Sequence, residues 1–233
     1  MRIAGLQKLT LLDFPGHTAC TVFTAGCNLR CPFCHNSELV LPERKPALMD
    51  AEEFFSFLKK RQGILEGVCV TGGEPLLQGD IAPFLARIKA LGFAVKLDTN
   101  GCFPHQLRQL VTDGLVDYVA MDIKNCPERY GQTVGLPDFD LSGVQESANF
   151  LLSGAVDCEF RTTITAQHHD EEAVSSIARW IRGAKRYALQ SFRDSGDVLT
   201  AGLTPCPPEQ MRHFVALAAP FVEEATLRGT DEI

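Results

Sequence analysis

No run of about 18 consecutive apolar residues occurs in this 233-residue chain, so no membrane-spanning helix is expected. The opening residues, Met1-Arg2-Ile3-Ala4-Gly5, lack the apolar core of a secretion signal, and a cytoplasmic location is expected. Basic residues are scarce: 22 Lys and Arg against 29 Asp and Glu leave a net charge of −7. That balance argues against nucleic acid as a partner, although a protein with its own positive patch remains compatible. No linker is required either, because a chain that is 45% hydrophobic and 22% charged can fill one large core.

Cysteine, by contrast, is abundant. Nine is a high and odd count, which suits reduced thiols partly used as metal ligands better than a disulfide framework. Cys27, Cys31 and Cys34 lie in the segment Gly26-Cys27-Asn28-Leu29-Arg30-Cys31-Pro32-Phe33-Cys34-His35-Asn36, with C-x3-C-x2-C spacing. Thiolate sulfur favours iron–sulfur clusters and zinc, and a ferredoxin cubane takes four cysteines. Three ligands from one loop leave one iron open, and an exchangeable position is where a metal does chemistry. The alternative is half of a zinc ribbon, closed by His35 or a distant cysteine. Such sites staple small domains without a core, whereas this loop follows the apolar run Ala19–Phe23 in a long chain. His35 is also adjacent to Cys34, a poor arrangement for both to reach one ion. Sensitivity to oxygen follows from exposed thiolates and an open cluster.

Short apolar runs alternate with longer amphipathic stretches, the βαβα pattern of a parallel sheet covered by helices. Six strands are predicted, at Ala19–Phe23, Gly67–Thr71, Phe93–Asp98, Asp117–Asp122, Cys158–Ile164 and Arg186–Ser191. Helices are predicted near Asp50–Arg61, Ile81–Leu91, Pro104–Thr112, Ser142–Leu152, Glu171–Arg182 and Pro208–Ala218. Asp50 and Asp80 occupy N-cap positions, and Gly63, Gly92, Gly114 and Gly154 fall where helices should stop. Such an alternation fits a partial (β/α)6 TIM-type barrel, and a flat doubly wound sheet fits it as well. In both, reactive groups collect at the carboxyl ends of the strands.

Four polar clusters occur there: the cysteine loop, Gly72-Gly73-Glu74-Pro75, Asp98-Thr99-Asn100-Gly101, and Asp122-Ile123-Lys124. Two glycines let backbone approach a ligand closely, and the carboxylate of Glu74 can accept from an ammonium group. Asp122 and Lys124, two apart, project from one face if the strand persists. They suit a ligand with vicinal hydroxyls and a carboxylate, or form a solvated ion pair.

With these motifs, and with Asp13-Phe14-Pro15-Gly16 upstream, the chain resembles the radical S-adenosylmethionine superfamily over roughly residues 1 to 200. Within it, the chain is most like the activating proteins of glycyl-radical enzymes, in particular the short activases of anaerobic ribonucleoside-triphosphate reductase. The resemblance implies a single radical S-adenosylmethionine domain over residues 1–233, with a core of about 15–200 and a C-terminal helix near 207–220. It implies a [4Fe-4S] cluster on Cys27, Cys31 and Cys34, whose open iron binds S-adenosylmethionine. Reductive cleavage would then give a 5′-deoxyadenosyl radical that abstracts hydrogen from a glycine of the partner enzyme.

Carried over by position, Gly73 and Glu74 meet the methionyl ammonium, Asp122 the ribose and Lys124 the carboxylate. Backbone around Phe33, Cys34 and His35 flanks the adenine, and Asp98 and Thr99 lie by the methionyl end or a small cation. A low-potential flavodoxin or ferredoxin would donate the electron. The chain departs from related activases at Phe192, where a histidine can contact adenine. Arg161 faces the cofactor or pairs inside the sheet. Other enzyme readings are action on a different glycyl-radical enzyme or on a small molecule; the non-enzyme reading is a zinc or iron–sulfur electron-transfer or interaction module.

Plainer roles are expected elsewhere. Cys20, Cys69 and Cys158 should pack as small apolar groups. Cys102 and Cys126 follow strands and could approach the site, although free cysteine is often structural. His168-His169-Asp170-Glu171-Glu172 reads as a solvated helix start, and Phe54, Phe55, Phe57, Leu58 and Trp180 as core-facing stripes.

Overall fold

The computed structural model describes residues 1–41, 46–194 and 196–229. Among them, eight strands form one sheet in sequential order: β1 (Ile3–Thr10), β2 (Ala19–Thr24), β3 (Gly67–Gly72), β4 (Ala94–Thr99), β5 (Tyr118–Asp122), β6 (Asp157–Ile164), β7 (Arg186–Ser191) and β8 (Glu224–Arg228). The helices are α1 (Ser37–Val40), α2 (Ala51–Lys59), α3 (Ile81–Ala90), α4 (Pro104–Thr112), α5 (Tyr130–Thr133), α6 (Ser142–Leu152), α7 (Glu171–Trp180) and α8 (Pro208–Ala218). All six predicted strands form within a residue of their expected bounds. Strand order never reverses, as in a partial (β/α) barrel and unlike a doubly wound sheet.

Two strands lie beyond the expected six. β1 pairs antiparallel with β2, whereas β2–β3, β3–β4, β6–β7 and β7–β8 are parallel. Neither extra strand carries a continuous apolar run, because β1 exposes Gln7, Lys8 and Leu9 and β8 buries no residue fully.

Two compact units emerge from the packing. The first comprises Met1–Asn28, Glu38–Thr99 and Phe103–Val119. Its core includes Phe54, Phe55 and Phe84, with ring centroids 5.3–5.4 Å apart. Asp50 caps α2 by accepting from the Glu52 amide at 2.6 Å. Asp80 makes no cap bond, since its carboxylate pairs with the Met1 amino group. In Asp13-Phe14-Pro15-Gly16, Phe14 is buried beneath the start of β3, where a Cβ on Gly67 would sit 2.7 Å from its ring. Asp13 accepts from the Thr21 hydroxyl at 2.5 Å. The motif thus plugs the amino end of these strands.

The second unit comprises Leu29–Ser37, Asn100–Cys102 and the chain from Ala120 onward. Helices α6, α7 and α8 bury Val144, Leu151, Val174, Ile177 and Phe214. Buried Glu159 of β6 is gripped by both terminal nitrogens of Arg228, at 2.6 and 3.2 Å, which ties β8 to the sheet. Phe54, Phe55 and Leu58 are buried as expected. Phe57 is only half-buried, under the Arg61 guanidinium, and Trp180 is half-buried edge-on to Tyr130. No helix among the described residues is long and apolar enough to cross a membrane.

Candidate functional site

In the first unit, β3 ends on a turn that only glycine can make. Gly72 has φ 120°, and a Cβ there would lie 2.2 Å from the Thr24 amide nitrogen; one on Gly73 would lie 2.0 Å from the Gly26 carbonyl oxygen. The Gly73 amide donates to Thr24 at 2.9 Å and the Glu74 amide to Gly26 at 2.8 Å. The two glycines therefore clamp the segment leading into Cys27. Glu74 is 0% exposed, and its Oε1 accepts from the Leu76 amide and the Thr99 hydroxyl at 3.0 and 2.9 Å.

One residue of this unit escaped the sequence reading. Lys96 sits two before Asp98 on β4, on the same face, and is 1% exposed. Its ammonium pairs with Asp98 and approaches the Cys69 sulfur at 3.9 Å, while the Cys69 thiol faces Asp98 at 3.7 Å. The signal was a cation set between Val95 and Leu97 in a buried strand, two residues before the carboxylate of Asp98, a placement tolerated only with a partner. Cys69 is accordingly part of a polar cluster and not an apolar filler. Cys20 and Cys158 fit their expected role: burial pushes their thiols up to about 12 and about 11.

In the second unit, the cysteine loop is held by three remote segments. The Arg30 amide donates to Val134 at 2.9 Å, the Thr200 amide to Pro32 at 3.0 Å, and the Ser37 hydroxyl to Asp197 at 2.9 Å. Gly135, with φ 73°, lets its turn press against the loop; a Cβ there would lie 2.5 Å from the Arg30 carbonyl. Within the loop, the Cys34 amide donates to the Cys31 carbonyl at 3.0 Å. Burial raises the Cys34 thiol pKa, with Lys124 opposing. The buried Phe33 ring meets His168 and His169 edge-on, and His35 is exposed.

At the last residue of β5, Asp122 receives a cation on each oxygen: Lys124 Nζ at 3.0 Å and Arg161 Nε at 2.9 Å. The pairing role of Arg161 is thus realised. Burial alone would raise the Asp122 pKa, but Arg161 and Lys124 outweigh it and hold the carboxyl well below its usual range. Burial likewise opposes the Lys124 charge, and Asp122, followed by Cys31, holds it well above the usual lysine value. Asp122 thus bridges two cations, and at the Cys34 thiol Lys124 acts against Asp122 and Asp197. Phe192 is buried as a packed ring, and Cys126 is buried with a raised thiol pKa. Cys102 is half-buried, with its amide on Asn100 Oδ1.

The solvated helix start needs revision at its first two residues. Asp170 does cap α7, accepting from Ala173 at 2.9 Å, but His169 is 3% exposed. The Thr165 amide donates to its Nδ1 at 3.2 Å, so Nε2 carries the proton and donates to the Lys124 carbonyl at 2.9 Å. Burial lowers its pKa to about 4, with neighbouring His168 adding to the effect and Asp170 opposing it. The unfolded chain binds a proton at this residue near pH 6.5, so acid favours unfolding. Stability is expected to fall as pH drops from 6.5 to 4, by on the order of 3 kcal/mol from this group. Denaturant titrations at pH 7.5 and 5 should already show about 2 kcal/mol of it, and His169→Gln should flatten the dependence.

The family model described as the radical SAM superfamily matches residues 21–149 of this chain, more than half its length. A Methanocaldococcus jannaschii protein, provisionally named a glycyl-radical enzyme activating enzyme, is 31% identical over 99% of this chain and 98% of its own. A 7-carboxy-7-deazaguanine synthase of Koribacter versatilis is 32% identical over 71% of this chain and 70% of its own. The crystal structure of Streptococcus suis SuiB bound to S-adenosylmethionine superposes with a TM-score of 0.70 at 14% identity; it covers 88% of this chain and 49% of that one.

Radical S-adenosylmethionine enzymes use a [4Fe-4S] cluster and S-adenosylmethionine, and the residues present fit both. Cys27, Cys31 and Cys34 supply three soft sulfur donors at C-x3-C-x2-C spacing, and Lys124, which acts on the Cys34 thiol, is a cation suited to a carboxylate. Among the described residues no three His, Cys, Asp or Glu side chains converge on a single ion, a convergence that a cubane, with each thiolate on a separate iron, does not require. The motif-bearing loops, the sequential sheet and a full-length relative agree, and the chain belongs to the radical SAM superfamily.

Proposed function

We propose that this protein is an activase that installs a glycyl radical in anaerobic ribonucleoside-triphosphate reductase. The full-length likeness to an archaeal protein named for glycyl-radical enzyme activation supports the activase, as do the D-T-N-G and D-I-K motifs, and the resemblance to the short reductase activases suggests the target. The observation that carries the reading is the Asp122–Lys124–Arg161 ion-pair group, in the unit that holds Cys31 and Cys34.

In this proposal Cys27, Cys31 and Cys34 hold the cluster. Lys124 receives the methionyl carboxylate, and Asp122, kept ionised by its two cations, accepts from the ribose hydroxyls. Gly73 and Glu74 meet the ammonium group, with Thr99 orienting the Glu74 carboxylate and Asp98 beside them. Because the Phe33 ring is turned into the two histidines, backbone from Phe33 to His35 flanks the adenine. The bound pair of cofactors supplies a one-electron cleavage yielding methionine and a 5′-deoxyadenosyl radical able to take hydrogen from a glycine α-carbon. Flavodoxin or ferredoxin supplies that electron in the cytoplasm, where none of the nine cysteines need be oxidised.

The test mixes reconstituted, reduced protein and S-adenosylmethionine with candidate glycyl-radical enzymes and reads the glycyl doublet by electron paramagnetic resonance. A doublet on the reductase is expected. A doublet only on another partner would overturn the target. Formation of 7-carboxy-7-deazaguanine with no doublet on any partner would favour the second reading, a small-molecule enzyme, motivated by the Koribacter synthase's 32% identity.

A further inference from the structure

Lys124 lies two residues beyond the end of β5, just after Ile123, whose amide still donates to the Arg161 carbonyl of β6 at 2.8 Å. The Lys124 amide donates instead to the Tyr130 hydroxyl at 3.3 Å, and its carbonyl accepts from His169 Nε2 at 2.9 Å. Tyr130 is itself fixed, stacked on Phe139 and set edge-on to Trp180. Asn125, the next residue, donates to the His168 carbonyl at 2.9 Å and to the Thr133 hydroxyl at 2.8 Å. The same His169 ring meets Phe33, between Cys31 and Cys34, with centroids 6.4 Å apart. One imidazole therefore touches the cysteine loop and holds the peptide that carries Lys124.

We infer that His169 is a positioning residue that fixes the Lys124 ammonium relative to the cysteine loop, and so sets where the carboxylate of S-adenosylmethionine sits beside the open iron. This rests on the role proposed above for Lys124. The hydrogen bond sets the height of the peptide, and the ring edge against Phe33 sets its distance from the thiols. A side chain that keeps one contact and loses the other separates the two effects. Phenylalanine keeps an aromatic ring against Phe33 and donates nothing to Lys124. Glutamine places an amide N–H near the position of Nε2, whereas asparagine is too short to reach it.

The experiment compares wild type with His169→Phe, His169→Gln and His169→Asn as cluster-loaded full-length proteins. Iron content, S-adenosylmethionine affinity from the change it causes in the reduced-cluster resonance signal, and amide hydrogen exchange in residues 31–34 and 122–126 are measured. His169→Phe and His169→Asn should keep their iron, bind S-adenosylmethionine about 10- to 100-fold more weakly, and exchange faster at 122–126. His169→Gln should stay within about threefold of wild type, because its amide restores the donor. That rescue is what a merely structural histidine would not produce.

If His169→Phe does not fold, the glutamine and asparagine pair still decides the matter. Wild-type affinity in His169→Asn, or equal losses in His169→Gln and His169→Asn, would overturn the inference. A wild-type cluster signal indifferent to S-adenosylmethionine would instead sink the proposed site, and the exchange data would still judge His169: rates at 122–126 unchanged in every variant would overturn its role.

Discussion

Gly73→Ala is expected to yield protein that retains its sheet but holds its cluster poorly and cleaves S-adenosylmethionine about 100-fold more slowly. The added Cβ would stand 2.0 Å from the Gly26 carbonyl oxygen and 2.6 Å from its carbon, contacts that backbone atoms cannot relieve by rotation. One strand end must therefore move by about an ångström, which breaks the bonds from the Gly73 amide to Thr24 and from the Glu74 amide to Gly26. Cys27 follows Gly26 directly, so the displacement passes to the first thiolate. A misplacement of that size at a reacting centre costs about 100-fold in rate, and overpacking costs about 1–3 kcal/mol or more in stability. Iron content, thermal unfolding and 5′-deoxyadenosine formation measure the three effects. A Gly73→Ala protein with full iron and wild-type turnover would show that the loop has slack this geometry denies it.

Cys27→Ala, Cys31→Ala and Cys34→Ala should each abolish cleavage, whereas Cys20→Ala and Cys158→Ala should leave the iron content unchanged. The contrast is one of environment as much as spacing. Cys20 is buried within a strand, and its thiol resists ionisation up to about pH 12, so it does not become a ligand. Cys31 and Cys34 lie on a loop pinned at Arg30, Pro32 and Ser37; burial raises the Cys34 thiol too, but there Lys124 opposes it, as no cation among the described residues does at Cys20. Loss of one loop thiolate removes a cluster corner that no strand cysteine replaces. Iron and sulfide analysis with Mössbauer spectroscopy reads the result directly. Cleavage surviving in any one of the three loop variants would remove that cysteine from the ligand set.

The sequence made most of the scaffold readable because its buried strands are apolar runs and its helices end in glycines; Gly63, Gly92, Gly114 and Gly154 all have positive φ. β1 and β8 were not readable, since edge strands expose one side and their pattern dissolves into polar residues. Barrel against doubly wound sheet was equally closed to periodicity, because strand order leaves no trace in hydrophobic spacing. At the site, spacing put three cysteines in one short loop, and Asp122 and Lys124 pair at 3.0 Å even though β5 ends at Asp122 and does not carry the parity on to Lys124. Three things stayed hidden. Lys96 drew no reading at all, Glu74 gave no sign that its Oε1 accepts from Leu76 and Thr99, and His169 sits in a polar run that mimics a solvated cap. Each depends on a contact from a segment far along the chain, which local composition does not encode.

The clamping of the cysteine loop also bears on how the protein is made. Ser37 and its partner Asp197 are 160 residues apart, and Thr200 emerges later still. A ribosome releases the three thiols early, while the segments that give their loop its shape come near the end of translation. Iron delivered to the nascent polypeptide would meet thiols with no fixed arrangement, so cofactor insertion belongs after synthesis, on a chain that has already closed around its loop.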